Sequence, residues 1–304
     1  MKKVIITGAT SFIGEALINR LCEEGYYIYA IIRPNSKKKH ILANKRNVEI
    51  IEIDMNSYFN LDKIINTECD YFISFAWNGT RGNERNDSHK QQENYKYSME
   101  ALNAALRLNC KKIISAGSQA EYGNYDTIIS EETICRPVTE YGKSKLKYYE
   151  NAIKECKEKG VSFKEPRFFS IYGPGDYENS LIISTIRKML KNEVCQFTES
   201  THMWNFLYIS DAIEGIIKLI EIDCADGPYN FASNDTRKLK DFIEDIKVAT
   251  NSNSLLRFGE IPYTINNCFS LKPEIEKFYS ETGWQPKIRF HDGLVKTIDY
   301  IGDL

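Results

Sequence analysis

The chain has 304 residues, 42% of them hydrophobic and 27% charged, the balance of a soluble globular protein with room for one large or two medium domains. A formal net charge of −2 with no basic tail excludes the electrostatic footprint of a nucleic-acid binder. The eight cysteines form no C-x-x-C pair and no apolar run approaches the ~20 residues of a membrane span, so a cytoplasmic protein with reduced thiols, no metal site and no membrane partner is expected.

The opening "MKKVIITGATSFIG" carries two lysines and an apolar run. The run is short and has no convincing cleavage site, so it reads as a buried strand over 3–7 rather than a leader. Residues 13–25 follow with Ile13, Leu17 and Leu21 on one helical face and Gly25 closing it. Further strands are predicted at 27–32, 48–53, 71–76, 112–117 and 161–169. Helices are predicted around 90–109, where Met99, Leu102 and Leu106 share a face, and over 140–159. Strands alternating with helices imply an α/β fold, a doubly wound parallel sheet of Rossmann type covered on both faces. After about Tyr172 the rhythm weakens. Helical patterns at 179–191, 210–221 and 237–248, a turn at "GWQP" and a last helix near 291–301 suggest a smaller, discontinuous C-terminal domain. The expected division is 1–170, with a return near 203–232, against 171–304.

The strand at 3–7 runs straight into "TGATSFIG". A strand, a tight glycine turn and a helix N-terminus together form a pyrophosphate cradle, because backbone N–H groups and the helix dipole face the anion. Gly8 permits the turn and Gly14 lets helix and strand pack closely. Thr10, Ser11, Phe12 and Ile13 complete the loop. Ser11 stands where a third glycine usually sits, and its hydroxyl can donate to a phosphate. The competing reading is a plain glycine turn.

The end of the second strand reads the adenosine ribose in such folds: a carboxylate selects NAD, a basic residue accommodates the 2′-phosphate of NADP. Here "IIRPNSKKK" offers Arg33, Ser36 and Lys37 and no carboxylate, which favours NADP(H) and leaves NAD(H) as the alternative. A solvated basic loop is the bland reading, and the lysine runs at 37–39 and 143–147 are read as surface. Asp54 after the third strand is either a contact for the adenine edge or a cap for "NSYFNL". Met55 and Ala76, at the ends of the third and fourth strands, join the cofactor set.

"YGKSK" places Tyr141 and Lys145 one helical turn apart. A phenol near pKa 10 is a poor acid/base at neutral pH, and an ammonium one turn away would lower that value. "SAGSQAEYG" begins at a strand end, where doubly wound sheets bind ligands, and its Ser118 can orient a substrate oxygen toward Tyr141.

The ordered set "TGATSFIG", "EIDMNS", "FISFAWNG", "ENYKYS", "SAGSQAEYG", "YGKSK", "PRFFSIYGPGD", "WNFLYISDA" and "TGWQP" resembles the extended short-chain dehydrogenase/reductase family, the nucleotide-sugar epimerase, dehydratase and reductase group. The resemblance spans nearly the whole chain. It implies that Ser118, Tyr141 and Lys145 are catalytic with Asn94 in support. It also implies a nucleotide-diphosphate sugar as ligand and a homodimer built on the helices around 90–109 and 140–159. Ser170 stands where many relatives carry an asparagine near the substrate diphosphate. Trp77 and Gln119 are candidate walls of the sugar pocket, and Trp204 and Arg289 candidate neighbours of the nucleotide.

Dehydratases of this group carry acidic residues just after the serine. Gln119 and Ala120 stand there, and Glu121, if extended, would face away. The 3,5-epimerase/reductases carry a cysteine where this chain has Gln119. What remains is NADPH-dependent reduction of a 4-keto-(6-deoxy)sugar nucleotide, of the kind used in polysaccharide biosynthesis, or an NAD-dependent 4-epimerase. A non-catalytic NADP-binding protein is the remote third reading.

Overall fold

The computed structural model describes residues 1–263 and 270–302. The described chain falls into two compact units. The first comprises Met1–Gly123, Ile134–Phe168 and Ile213–Tyr229; the second comprises Asn124–Thr133, Phe169–Ala212 and the chain from Asn230 onward.

In the first unit, chain order runs β1 (Lys3–Thr7), α1 (Phe12–Glu23), β2 (Tyr27–Ile32), β3 (Val48–Glu52), α2 (Leu61–Ile65), β4 (Tyr71–Ser74), α3 (Ser88–Arg107), β5 (Lys112–Ser115), β6 (Gly117–Ser118), α4 (Glu140–Lys159) and β7 (Ser162–Phe168). The sheet order is β3-β2-β1-β4-β5-β7, with the strand Gly227–Phe231 beyond β7 and with β6 paired to β7. The β2–β3, β1–β2, β1–β4, β4–β5 and β5–β7 ladders are all parallel. This is the doubly wound order, and the topological switch falls between β1 and β4. Such strands are buried on both faces, which is why "KVIIT" and "YIYAII" are continuously apolar rather than alternating. Val4, Ile5, Ile6, Ile28, Ala30 and Ile31 are fully buried. Each large aliphatic side chain so buried contributes about 1.5–3 kcal/mol of transfer free energy.

Two lysines sit inside this apolar framework. The Lys112 ammonium donates to the carbonyls of Leu219, Ile220 and Ile222, each at 2.9 Å, and so closes the C-terminal end of the helix Ile209–Glu221. Lys164, 1% exposed, donates to Asp226 at 2.7 Å and to the Cys224 carbonyl at 2.5 Å.

The second unit is held by aromatic packing. Trp284 stacks on Phe278 and Phe231 with ring centroids 4.5 and 5.6 Å apart. Asp211 accepts from the backbone N–H groups of Lys287 and Ile288, and its own carbonyl accepts from the Trp284 indole. Thus "WNFLYISDA" and "TGWQP" interlock. The segment 124–133 belongs here and not with the residues flanking it in sequence. Its Glu131 accepts from the Asn230 N–H at 2.6 Å, and the Asn230 amide donates to the carbonyls of Ile129 and Glu274. The return to the first unit is 213–229, narrower than the expected 203–232. "GWQP" follows a short helix, Glu276–Thr282, that periodicity did not reveal; Gly283 ends it in the left-handed conformation.

Candidate active site

The glycine loop lies at the switch point. Gly8 has φ +67°, and a Cβ there would come within 2.9 Å of the Ala76 nitrogen, so the loop rests on the backbone leaving β4. A Cβ on Gly14 would lie 2.4 Å from the Gly8 carbonyl oxygen. Ser11 differs: its φ of −74° suits any residue, so no glycine is required there. Its hydroxyl oxygen caps α1 by accepting from the Gly14 N–H at 3.1 Å, leaving the hydroxyl proton free to donate. Phe12 and Ile13 are half-buried in the first turn of α1. Thr10 meets Ser36 across 3.4 Å, which joins the glycine loop to the segment after β2. Arg33 and Lys37 are exposed there. The carboxylate that reaches this segment, Glu52, is engaged by Lys39 at 2.5 Å and by the Asn35 N–H at 3.3 Å. Asp54 occupies the cap position before Met55–Asn60, but its side chain accepts no capping bond, which removes the cap reading. Met55 sits against the exit of β4 through a 3.5 Å contact of its sulfur with the Asn78 amide.

Ser118 ends β6, and Tyr141 and Lys145 lie on the first turns of α4. Thr139 caps this helix by accepting from the Gly142 N–H at 3.1 Å. Gly142 then brings helix and loop together: a Cβ there would lie 2.3 Å from the Ala120 carbonyl oxygen. That contact puts Tyr141 in hydrogen-bonding reach of Ser118. Burial raises the phenol above its ordinary value; the Ser118 hydrogen bond and then the Arg85 charge pull it back, while Glu121 and Glu165 push it further up. Lys145, 4% exposed, is no part of a solvated run. Its ammonium donates to the Ala116 carbonyl at 2.6 Å and lies 3.9 Å from the centroid of the Trp77 ring. Burial pulls its pKa down to about 8, against the opposing charges of Glu121 and Glu165. Among the charges around the Tyr141 phenol, that of Arg85 favours its ionised form.

Asn94 acts one step back. Its side-chain oxygen accepts from the Asn78 N–H at 2.9 Å and its amide donates to the Asn78 carbonyl at 2.8 Å, clamping the loop that carries Ala76 and Trp77. Gln91, which sequence reasoning missed, is fully buried beside it. It accepts from the Trp77 indole at 2.7 Å and donates to the carbonyls of Gly79 and Glu84 at 2.9 Å. Trp77 meets the Tyr141 ring edge-on at 6.1 Å.

Below Ser118 lies a buried charge cluster. Gln119–Glu121 is a 3₁₀ turn, not an extended segment, so Glu121 curls back to accept from the Ser118 N–H at 2.7 Å. Arg167 bridges Glu121 at 3.1 Å and Glu165 at 2.9 Å, with all three side chains at most 2% exposed. Burial and the Glu121 charge raise Glu165 well above the usual carboxylate range, while Arg167 opposes them. Burial works against the Arg167 charge, but the two carboxylates outweigh it and raise its pKa. Gly117 makes room for the cluster, since a Cβ there would lie 2.6 Å from Glu165. The sequence signal was present: "FKEPRF" places charges inside an otherwise apolar strand.

Residues 4–232 match the NAD dependent epimerase/dehydratase family. The chain belongs to that family. CDP-abequose synthase of Salmonella muenchen is 26% identical over 303 residues, covering 98% of this chain and 97% of that protein. dTDP-4-dehydro-6-deoxyglucose reductase of Escherichia coli is 26% identical over 322 residues, covering 98% and 97%. The structure of UDP-glucose 4-epimerase from Thermotoga maritima, solved with UDP-glucose, superposes with a TM-score of 0.90 at 19% identity, covering 99% of each chain.

As a member of the epimerase/dehydratase family, of the extended short-chain dehydrogenase/reductase kind, the chain is an enzyme of nicotinamide-dependent nucleotide-sugar chemistry. Its first loop fits the dinucleotide, because Gly8 and Gly14 let the turn pack directly on the backbone of Ala76 and of Gly8 itself, which sets a tight turn at the N-terminus of α1. In this epimerase/dehydratase chain Gln119 is buried on the turn after Ser118. The other candidate contacts lie in the second unit. Ser170 is half-buried, its carbonyl accepting from the Leu207 N–H. Trp204 is half-buried between His202 and Phe206. Arg289 is exposed and paired with Asp292 one turn along the last helix, at 2.9 Å. Among the described residues, no helix is long and apolar enough to cross a membrane.

Proposed function

We propose that this chain is an NADPH-dependent reductase acting on the 4-keto group of a 6-deoxysugar nucleotide. The observation that carries the reading is the segment after β2. Arg33 is exposed beside Ser36, which touches the glycine loop through Thr10, and the carboxylate nearby, Glu52, is already neutralised by Lys39. A ribose 2′-phosphate is matched there by a guanidinium fork and a hydroxyl. Dehydration is disfavoured because Gln119 and Ala120 hold no titrating group and Glu121 is committed to Ser118 and Arg167. A reductase of a 4-dehydro-6-deoxyglucose nucleotide among the relatives accords with the same reading.

When bound, the reduced nicotinamide supplies the hydride that attacks the carbonyl carbon. The protein supplies the rest. Ser118 donates a hydrogen bond to the carbonyl oxygen and orients it. Tyr141 delivers its proton to that oxygen as negative charge develops, so that hydride plus proton convert the ketone to an alcohol. Lys145, held by Ala116 and Trp77, is placed one turn along to stabilise the phenolate left behind. Trp77 and Gln119 wall the reacting end of the sugar.

The test is cofactor preference. Arg33→Ala removes a charge-assisted contact of about 1.5–3 kcal/mol, which is about ten- to a hundredfold in NADPH affinity, and leaves NADH binding nearly unchanged. Isothermal titration with each cofactor measures both. Equal losses for the two cofactors would refute the NADP assignment. Stoichiometric NAD released on denaturing the purified protein would turn the reading toward a 4-epimerase that recycles its hydride.

A further inference from the structure

Arg85 belongs to none of the expected catalytic or binding residues, yet it stands against the central one. It lies in the 3₁₀ turn Gly82–Asn86, between β4 and α3, and its guanidinium carbon is 4.8 Å from the centroid of the Tyr141 ring. The turn is tied down on several sides. Asn86 accepts from the Glu140 N–H at 3.4 Å, at the start of the helix that carries Tyr141. Gln91 holds the Glu84 and Gly79 carbonyls at 2.9 Å, and Lys90 pairs with the Glu84 carboxylate. Arg85 itself is half-buried and makes no ion pair or hydrogen bond among the described residues. A guanidinium is rarely left this way without a carboxylate, because burial costs it hydration that nothing returns. The face of an aromatic ring is the partner it has, and that ring is the candidate acid/base.

We propose that Arg85 is a positioning residue for the acid/base step: it caps the face of Tyr141 as a fixed cation and holds the phenolate that proton transfer leaves. The charge is independent of pH over the working range, unlike that of Lys145, whose pKa of about 8 lets it discharge in mild alkali. The groups around Tyr141 are Ser118, which donates to it; Arg85, which favours its ionised form; and Glu121 and Glu165, which oppose it. Arg167 lies between those carboxylates, Lys145 follows one turn along α4, and Arg81 repels Arg85 from its own turn. Arg85 is thus the positive charge that favours the ionised phenol against the pull of Glu121 and Glu165.

The proposal rests on Tyr141 being the acid/base, but its test needs no substrate, so the reductase reading can fail without it. A fluorotyrosine is placed at position 141 by amber suppression, and its ¹⁹F shift is followed against pH in the full chain. The fluorinated ring ionises at lower pH than tyrosine, which keeps the titration where the protein stays folded. Arg85→Met keeps the stem and removes the charge; the midpoint is expected to rise by about one pH unit, a tenfold change in the ionisation constant. Arg85→Lys is expected to restore most of it. An unchanged midpoint in Arg85→Met overturns the proposal. So does an equal rise in Arg85→Lys, which would assign the effect to packing rather than charge. Circular dichroism checks the fold of each variant, and Arg85→Gln is a second neutral replacement read in the same way.

Discussion

Lys145 is expected to make the protein less stable at neutral pH than an apolar side chain in its place would. Its pKa falls from the ordinary 10.5 to about 8 because the ammonium is buried. Below about pH 8 both folded and unfolded chains carry the charge. Between about 8 and 10.5 only the unfolded chain does, so the unfolded state binds more protons and stability rises with pH through this window. The drop corresponds to about 3 kcal/mol, given that one pKa unit is about 1.36 kcal/mol. Lys145→Met removes this dependence. The substitution also loses the hydrogen bond to Ala116 and the contact with Trp77, but these add an offset that changes little with pH. Urea unfolding of wild type and Lys145→Met at pH 7 and pH 10.5 isolates the linkage. Relative to the variant, wild type is expected to gain about 3 kcal/mol between the two pH values. A difference between the proteins that stays flat across that range would refute the reasoning, since the ammonium would then be as well solvated folded as unfolded. The same buried charge is the one the proposed chemistry needs, which makes this a stability cost tied to function.

Two further outcomes test the scaffold around the site. Gly142→Ala drives a methyl to 2.3 Å from the Ala120 carbonyl oxygen and must part α4 from the turn bearing Ser118. A loss of about 1–3 kcal/mol in thermal unfolding is expected, with turnover falling further than that loss explains; wild-type stability would show that the two backbones are not in contact. Arg167→Met strands Glu121 and Glu165 in the core without a cation, at a cost of about 3–5 kcal/mol. Adding Glu165→Gln should recover part of it, and a chemical-denaturation shift below about 1 kcal/mol for the single variant would rule out the buried network as described.

The elements of the first unit were legible because their signals are local. β2 and α4 fall on 27–32 and 140–159 as read, since a doubly buried strand is an unbroken apolar run and a helix between Thr139 and Gly160 is marked at both ends. The glycine loop was equally legible, and Ser11 proved compatible with it for a reason only φ reveals. Other features depended on partners far away in sequence. Lys145 and Lys143 are near neighbours in one lysine-rich run, yet one is buried under Trp77 and the other is exposed and paired with Glu140. Glu121 looked like an outward residue of an extended segment until the turn folded it onto Ser118 and Arg167. Gln91 and Arg85 carried no motif at all: Gln91 holds the loop leaving β4, and Arg85, carried on that loop, meets a helix more than fifty residues later. Propensity, periodicity and turn chemistry act over a few residues, so the sequence by itself determined the elements, their order and the cradle at Gly8. The protonation and pairing of buried groups depend on burial and on charges brought together from β4, β6, β7 and α4, and those only the tertiary structure decided.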